Sequence, residues 1–163
     1  MSKAFIGTGT NLGDREAYLK AAMRYIEESA GQIISCSSVY ETAPWGFRSR
    51  KKFLNMVLFV ETRLSPPELL DACMKIEKLL GRVRSNKRYT SRVIDIDILL
   101  YDNDIIDKED LTIPHPLIHK RKFVLVPLCE IAGGLMHPVL GKSIRELLEE
   151  CEDNGEVTKI GGL

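Results

Sequence analysis

Two aspartates separated by one residue, inside an otherwise apolar run, are the best candidates for chemistry: Val93-Ile94-Asp95-Ile96-Asp97-Ile98-Leu99-Leu100. The alternation predicts a strand over Val93–Tyr101, with Ile94, Ile96, Ile98 and Leu100 on one face and both aspartates on the other. A rise of ~3.4 Å per residue sets the two carboxylates about 7 Å apart along the strand. Carboxylates that close repel unless a positive charge lies between or above them. Magnesium suits such a pair, because it takes one or two carboxylates and completes its shell with water and phosphate oxygens. An acidic strand face turned to water suits the same pattern. The preceding segment bears on the choice: Arg82, Arg84, Lys87, Arg88 and Arg92 lie between Gly81 and Ile94 with no acid among them. Cations leading into a dicarboxylate fit a polyphosphate held between arginines and metal ions. On these residues alone both readings stand.

Other residues carry weaker signals. Asn55 interrupts the apolar run Phe53-Leu54-Asn55-Met56-Val57. A buried amide must find partners or cost stability, so Asn55 is either a satisfied core residue or a ligand contact. Pro114-His115-Pro116 holds a histidine on a stiff segment, which presents one hydrogen-bonding group or is simply a rigid turn. Trp45, the only tryptophan, lies in a Pro/Gly loop, where core packing competes with stacking on a flat ligand. Glu77 reads as a surface acid, and His119 and His137 as structural or exposed. Gly7 to Gly13 lacks the Gly-x-Gly-x-x-Gly spacing and the lysine of a P-loop, and Gly141-Lys142-Ser143 lacks the upstream glycine. Both read as turns.

Positioning these residues requires a particular set of elements. Lys3–Thr8 reads as a strand. A helix over Asp14–Ser29 is capped by Asp14 and carries Tyr18, Leu19, Ala22, Tyr25 and Ile26 at helical spacing. Strands follow at Gln32–Tyr40 and Phe53–Thr62, separated by a loop with the basic run Arg48 to Lys52. Ser65-Pro66-Pro67-Glu68 starts a second helix that Gly81 stops. With the aspartate strand, the order is β-α-β-β-α-β. That is the ferredoxin-like α+β arrangement, an antiparallel sheet with helices on one face. A C-terminal extension adds short strands near Ile105 and Thr112, a helix over Lys120–Ile131 containing Pro127, and a helix over Ser143–Cys151. No linker or repeat divides the chain, so residues 1–163 read as a single domain.

Bulk composition narrows the class. Lys plus Arg and Asp plus Glu both total 23, so the basic excess usual in phosphate-driven nucleic-acid binders is absent. The four cysteines show no metal or redox spacing and read as small buried hydrophobes. No signal peptide or long apolar span is present, which predicts a cytoplasmic protein with no membrane association.

Taken in order, several segments resemble the 6-hydroxymethyl-7,8-dihydropterin pyrophosphokinases of folate biosynthesis. They are Gly9-Thr10-Asn11-Leu12-Gly13-Asp14, Tyr40-Glu41-Thr42-Ala43-Pro44-Trp45-Gly46, Phe53-Leu54-Asn55 and Ile76-Glu77-Lys78-Leu79-Leu80-Gly81-Arg82-Val83-Arg84. Arg92 through Leu99, Ile113-Pro114-His115-Pro116 and Arg121-Lys122-Phe123-Val124-Leu125 complete the set. The resemblance implies transfer of pyrophosphate from ATP to the pterin hydroxymethyl group, with AMP leaving. It implies that Asp95 and Asp97 ligate two Mg2+ ions and that Arg82 and Arg92 are catalytic. ATP contacts would come from Glu77, Arg84, Ile98, Thr112, His115 and Arg121. Pterin contacts would come from Thr42, Pro44, Trp45, Phe53, Asn55 and Phe123. No obligatory protein partner and no nucleic acid are implied. Thr90, Tyr89, Trp45, Thr10 and Asp110 depart from the family's usual residues. Two other classes remain as alternatives: a ferredoxin-like RNA-binding module, and another Mg-dependent phosphotransferase.

Overall fold

The structure, a computed structural model, describes residues 1–81 and 93–163. Arg82, Arg84 and Arg92, with the departures at Tyr89 and Thr90, lie outside the described residues. The first helical region is α1, Arg15–Ser29, after strand β1, Ser2–Thr10. Asp14 caps α1 by accepting a hydrogen bond from the Ala17 amide at 3.1 Å. Strands β2 (Gln32–Cys36), β3 (Val39–Thr42) and β4 (Phe53–Thr62) follow. Helix α2, Pro66–Leu79, begins at a capping box in which Ser65 and Glu68 each satisfy the other's backbone amide. Strand β5, Asp95–Tyr101, carries the aspartates. A short hairpin of β6 (Ile106–Asp107) and β7 (Thr112–Ile113) leads to a 3-10 turn at Ile118–Lys120. Helices α3 (Lys122–Ala132) and α4 (Ile144–Glu150) and strand β8 (Val157–Gly161) complete the chain.

The main sheet runs β5-β1-β4-β3-β8, with β2 also on β4, and every pairing is antiparallel. The expected single strand over 32–40 is two, because Ser37 turns inward. Its hydroxyl accepts the Val57 amide at 2.9 Å and its own amide donates to the Val57 carbonyl. Counted together, β2 and β3 restore the ferredoxin-like order, with β5 and β4 flanking β1.

Helices cover both faces of the sheet rather than one. On the first face, Leu19, Ala22 and Ile26 of α1 and Leu69, Cys73 and Ile76 of α2 pack on Ala4, Ile6, Ile96 and Ile98. Each fully buried aliphatic side chain there contributes roughly 1.5–3 kcal/mol. On the second face, α3 and α4 bring Val124, Leu125, Leu128, Ile144 and Leu147 onto Val57, Leu99 and Leu100. Leu100 thus leaves the isoleucine face to which strict alternation assigned it. A bulge pairs Phe5 with Leu100 and Ile6 with Ile98, so Leu99 is the extra residue and both leucines enter the second core. Helix α3 runs through Pro127 without a break. It is tied to β3 by Glu130, which accepts hydrogen bonds from the Tyr40 hydroxyl and from the amide and hydroxyl of Ser38, each at 2.8 Å. Burial opposes the charge on Glu130, but these donors outweigh it and hold the carboxyl below the usual carboxylate range. Cys73 is buried as expected, whereas Cys36 is exposed on the mostly exposed strand β2.

Candidate active site

Beside the start of α3, on the second face of the sheet, a cleft of about 230 Å3 opens. Its floor comes from β1. The strand expected over Lys3–Thr8 runs on through Gly9, which was expected in a turn, so that Gly7 and Gly9 are both strand residues, paired with Asp97 and Asp95 of β5. Without side chains they keep the strand low beside the aspartates; a Cβ at Gly7 would only touch the Leu99 side chain, at 3.4 Å. Gly9 also pairs with Asn55 across β4, and a Cβ there would lie 2.6 Å from the Asn55 Oδ1. Only glycine lets that amide lie across the strand.

Asp95 and Asp97 project into the cleft from one face of β5, as the alternation predicts. The Asp97 carboxyl is pushed well above the usual carboxylate range. Burial is the main cause; the Asp95 charge, a hydrogen bond with Asp95 and the Glu77 charge act in the same direction, against the pull of Arg121. In the protein alone, a proton shared by the two carboxyls relieves their repulsion. A divalent cation would relieve it more fully. Among the described residues no cluster of three or more His, Cys, Asp or Glu could enclose an ion. The donor set is therefore a carboxylate pair with outward positions left for water or phosphate, which fits magnesium.

Beside the carboxylates lies an aromatic-walled slot. Trp45 and Phe47, from the loop after β3, and Phe53 and Phe123 line it. Phe47 meets Phe53 edge to face, with centroids 6.2 Å apart. Phe47 was not singled out in the sequence; its place two residues past Trp45 in the same loop was the available signal. At the base, Asn55 is 8% exposed and donates from Nδ2 to the Thr42 hydroxyl at 2.6 Å. Asn55 itself lines the cleft, with its Oδ1 lying over Gly9. The loop from 43 to 52 is fastened at its end by Asn11 and Arg15, which donate to the carbonyls of Lys51 and Lys52 at 3.1 and 3.0 Å. Glu156, just before β8, holds both ends. Its carbonyl accepts the Ala43 amide at 3.4 Å and its carboxylate meets Lys52 at 3.8 Å.

His115 and Arg121 close the remaining side. Burial, aided by the Arg121 charge and opposed by Asp95, pushes the His115 imidazole down to about 4, so it is neutral near pH 7. Its Nδ1 accepts the Leu117 amide at 3.2 Å, which leaves Nε2–H as a donor. The Arg121 guanidinium lies over the Trp45 ring at 4.6 Å and over the Phe123 ring at 5.6 Å.

Some expected residues lie elsewhere. Ile98 is 5% exposed and its side chain packs in the first core, away from the carboxylates. Glu77 is no surface acid: it is 3% exposed, and its carboxylate accepts the Ile96 amide, between the two aspartates, at 2.9 Å. Thr112 in β7 and Pro44 beside Trp45 are half-buried and outside the cleft lining.

A family model described as 7,8-dihydro-6-hydroxymethylpterin-pyrophosphokinase matches residues 5–133. The chain is 40% identical over 156 residues to the 2-amino-4-hydroxy-6-hydroxymethyldihydropteridine pyrophosphokinase of Methylorubrum extorquens, covering 95% of this chain and 97% of that one. It is 42% identical over 155 residues to the enzyme of that name from Haemophilus influenzae, covering 94% and 96%. Among solved structures, a wild-type Plasmodium falciparum HPPK-DHPS with pteroate shares the fold at a TM-score of 0.76 and 18% identity. That match covers 91% of this chain and 44% of the larger one, so the chain spans under half of that polypeptide's length. With a model match over most of its length and two relatives at or above 40% identity end to end, the chain belongs to the 7,8-dihydro-6-hydroxymethylpterin pyrophosphokinase family.

Proposed function

We propose that residues 1–163 act as one pyrophosphokinase domain, moving the terminal pyrophosphate of ATP to the hydroxymethyl oxygen of 6-hydroxymethyl-7,8-dihydropterin, a step of folate synthesis, and releasing AMP. The observation that carries this reading is one cleft holding both a carboxylate pair over a glycine floor and an aromatic slot with an amide at its base. A pterin is flat, has a hydrogen-bonding edge and bears its reactive hydroxyl on a side arm. Stacked on Trp45, Phe53 or Phe123 with its edge against Asn55 and Thr42, it directs that arm toward Asp95 and Asp97. An analogue that left the Asn55 amide unmatched would be rejected for stranding a buried polar group.

Asp95 and Asp97 would hold magnesium, two ions in our reading, which supplies Lewis-acid polarisation of the phosphate oxygens. The chain's own groups do the positioning. Neutral His115 offers Nε2–H to a phosphate oxygen without a fixed charge, and Arg121 offers a guanidinium for charge-assisted bonds. Glu77 fixes β5 through the Ile96 amide and so sets the carboxylates' direction. Arg82, Arg84 and Arg92 precede β5 in sequence and are assigned to the phosphates on their charge. Among the described residues no helix is long and apolar enough to cross a membrane, and the cysteines are free thiols, which suits a reducing cytoplasmic setting.

The test is AMP release from ATP and Mg2+ with and without 6-hydroxymethyl-7,8-dihydropterin. Pterin-dependent AMP with a matching pterin diphosphate by mass is the expected result. AMP formation indifferent to the pterin would point to another Mg-dependent phosphotransfer at the same carboxylates.

A further inference from the structure

The ladder between β1 and β5 ends at the pair Gly9–Asp95, so Asp95 stands on its last rung beside a residue with no side chain. Asp97 lies inside the ladder. The residue between the two, Ile96, pairs with Thr8 of β1 on one edge and gives its amide to Glu77 on the other. A different brace serves the start of the strand. Thr10, one residue beyond Gly9, is fully buried, and its hydroxyl donates to the carbonyl of Val93, two residues before Asp95. Alternation turns Thr10 to the face away from the cleft, whose lining it does not join, so it acts through the backbone. Val93 packs against the first core, and Ile94 lies fully within it. The next residue, Asn11, is also buried and donates to the Lys51 carbonyl at the end of the aromatic loop. Two consecutive buried side chains thus fasten backbone on either side of the cleft, Asn11 at the aromatic loop and Thr10 at the carboxylate strand.

We propose that Thr10 is a positioning residue for the transfer: by holding the Val93 carbonyl it fixes the start of β5, and with it the placement of the Asp95 carboxylate against Asp97. The inference rests on the pyrophosphokinase reading above. A strand end frays easily unless something beyond its last rung ties it down. Without the hydroxyl, the Val93 carbonyl turns toward water and Asp95 loses its register with Asp97. A carboxylate pair binds a divalent cation through the separation it presents, so a shift of one member weakens the hold on the metal and misplaces the phosphate bound to it. Val93 also follows Arg92 directly in the sequence, so the same bond fixes where the cationic segment joins the strand.

The experiment compares Thr10→Val, which keeps the shape and removes the donor, with Thr10→Ser, which keeps the donor and removes a buried methyl group. Both should melt below the wild type, the first for a stranded carbonyl and the second for a small cavity. Function should separate them. In Thr10→Val, kcat for pterin-dependent AMP release should fall by about ten- to a hundredfold, with KM for the pterin little changed. Its affinity for Mn2+ should weaken by about tenfold, titrated by electron paramagnetic resonance with an ATP analogue methylene-bridged between the α and β phosphorus. Thr10→Ser should match the wild type in both. Equal losses in the two variants, following their melting temperatures, would reduce Thr10 to a packing residue and overturn the proposal. Wild-type Mn2+ affinity in Thr10→Val would overturn it too. The metal titration contains no pterin, so it judges Thr10 by itself; AMP release indifferent to the pterin in the wild type would overturn the pyrophosphokinase reading instead.

Discussion

Asp97 is half-buried at the cleft beside another carboxylate, an arrangement that favours a ligand over the empty fold. Asp97→Asn keeps the shape and removes a charge, so turnover should fall by about a hundredfold or more. The melting temperature without magnesium should rise by a few degrees, about what 1 kcal/mol produces in a domain of this size. A drop in melting temperature, read by calorimetry in the presence of a chelator, would show that the residue is structural. The aspartates were legible in the sequence because a two-residue period assigns both to one strand face. Asn55 was legible as an amide in an apolar run, but its partner Thr42 lies on a different strand. The stack of Arg121 on Trp45 could not be read, since nothing local ties a loop after β3 to the residue that starts α3. Glu77 was misjudged for a related reason: its partner, the Ile96 amide, belongs to the next strand.

Among the elements, β1 is the one whose residue choice shapes the cleft. Gly9→Ala would thrust a Cβ onto the Asn55 oxygen and turn the amide away. Pterin affinity should drop by roughly five- to a hundredfold, the range for a lost buried hydrogen bond, while ATP affinity changes little. Equal losses for both ligands would mean that the strand itself had shifted. The capping box of α2 permits a separate check. Ser65→Ala removes the acceptor of the Glu68 amide and should cost about 1 kcal/mol, lowering the melting temperature with no change in KM. Element boundaries were legible where caps or periods marked them, as at Asp14, Ser65 and Ser143. The division of β2 from β3 was hidden because Ser37 acts through Val57, a contact made only once β4 is in place. Strand β8 went unread because Val157-Thr158-Lys159-Ile160-Gly161 is short and largely exposed; pairing with β3 defines it.

On the scale of the whole molecule, sheet order and two cores place the cleft, and the C-terminal segment helps to hold it. Glu156 fastens both ends of the loop carrying Trp45 and Phe47. Removing residues 156–163 should therefore raise KM for the pterin several-fold more than KM for ATP; an equal rise would indicate general loosening. Acid stability is also set at this scale. His137 is 5% exposed, and its Nδ1 accepts the amides of Val139 and Leu140 at 3.2 and 3.1 Å. Burial, with the neighbouring His119 charge, lowers its affinity for protons below the ordinary 6.5. The unfolded chain then takes up the proton first, so this contribution to stability is full above pH 6.5 and declines as pH falls below it. His137→Asn keeps an acceptor at that turn but cannot titrate. Its melting temperature should fall less than that of the wild type between pH 7 and pH 5, and parallel slopes would assign the acid sensitivity elsewhere. The ferredoxin-like order was legible from element succession, but the second helical layer was not. Its helices contact strands far away in sequence, and the bulge at Leu99 that sends both leucines toward them leaves no mark on the local pattern.

The paired glycines of β1 show how a flat sheet acquires a hollow by omission. The backbone stays paired on both sides at Gly7 and Gly9, and depth comes from two missing β-carbons opposite two acids. Such a hollow needs no loop to move to form it, and it is fragile, because a single methyl group at Gly9 collides with the Asn55 amide. Selection on this strand should therefore act on volume more than on polarity: alanine is the smallest possible change at Gly9 and already a blocking one.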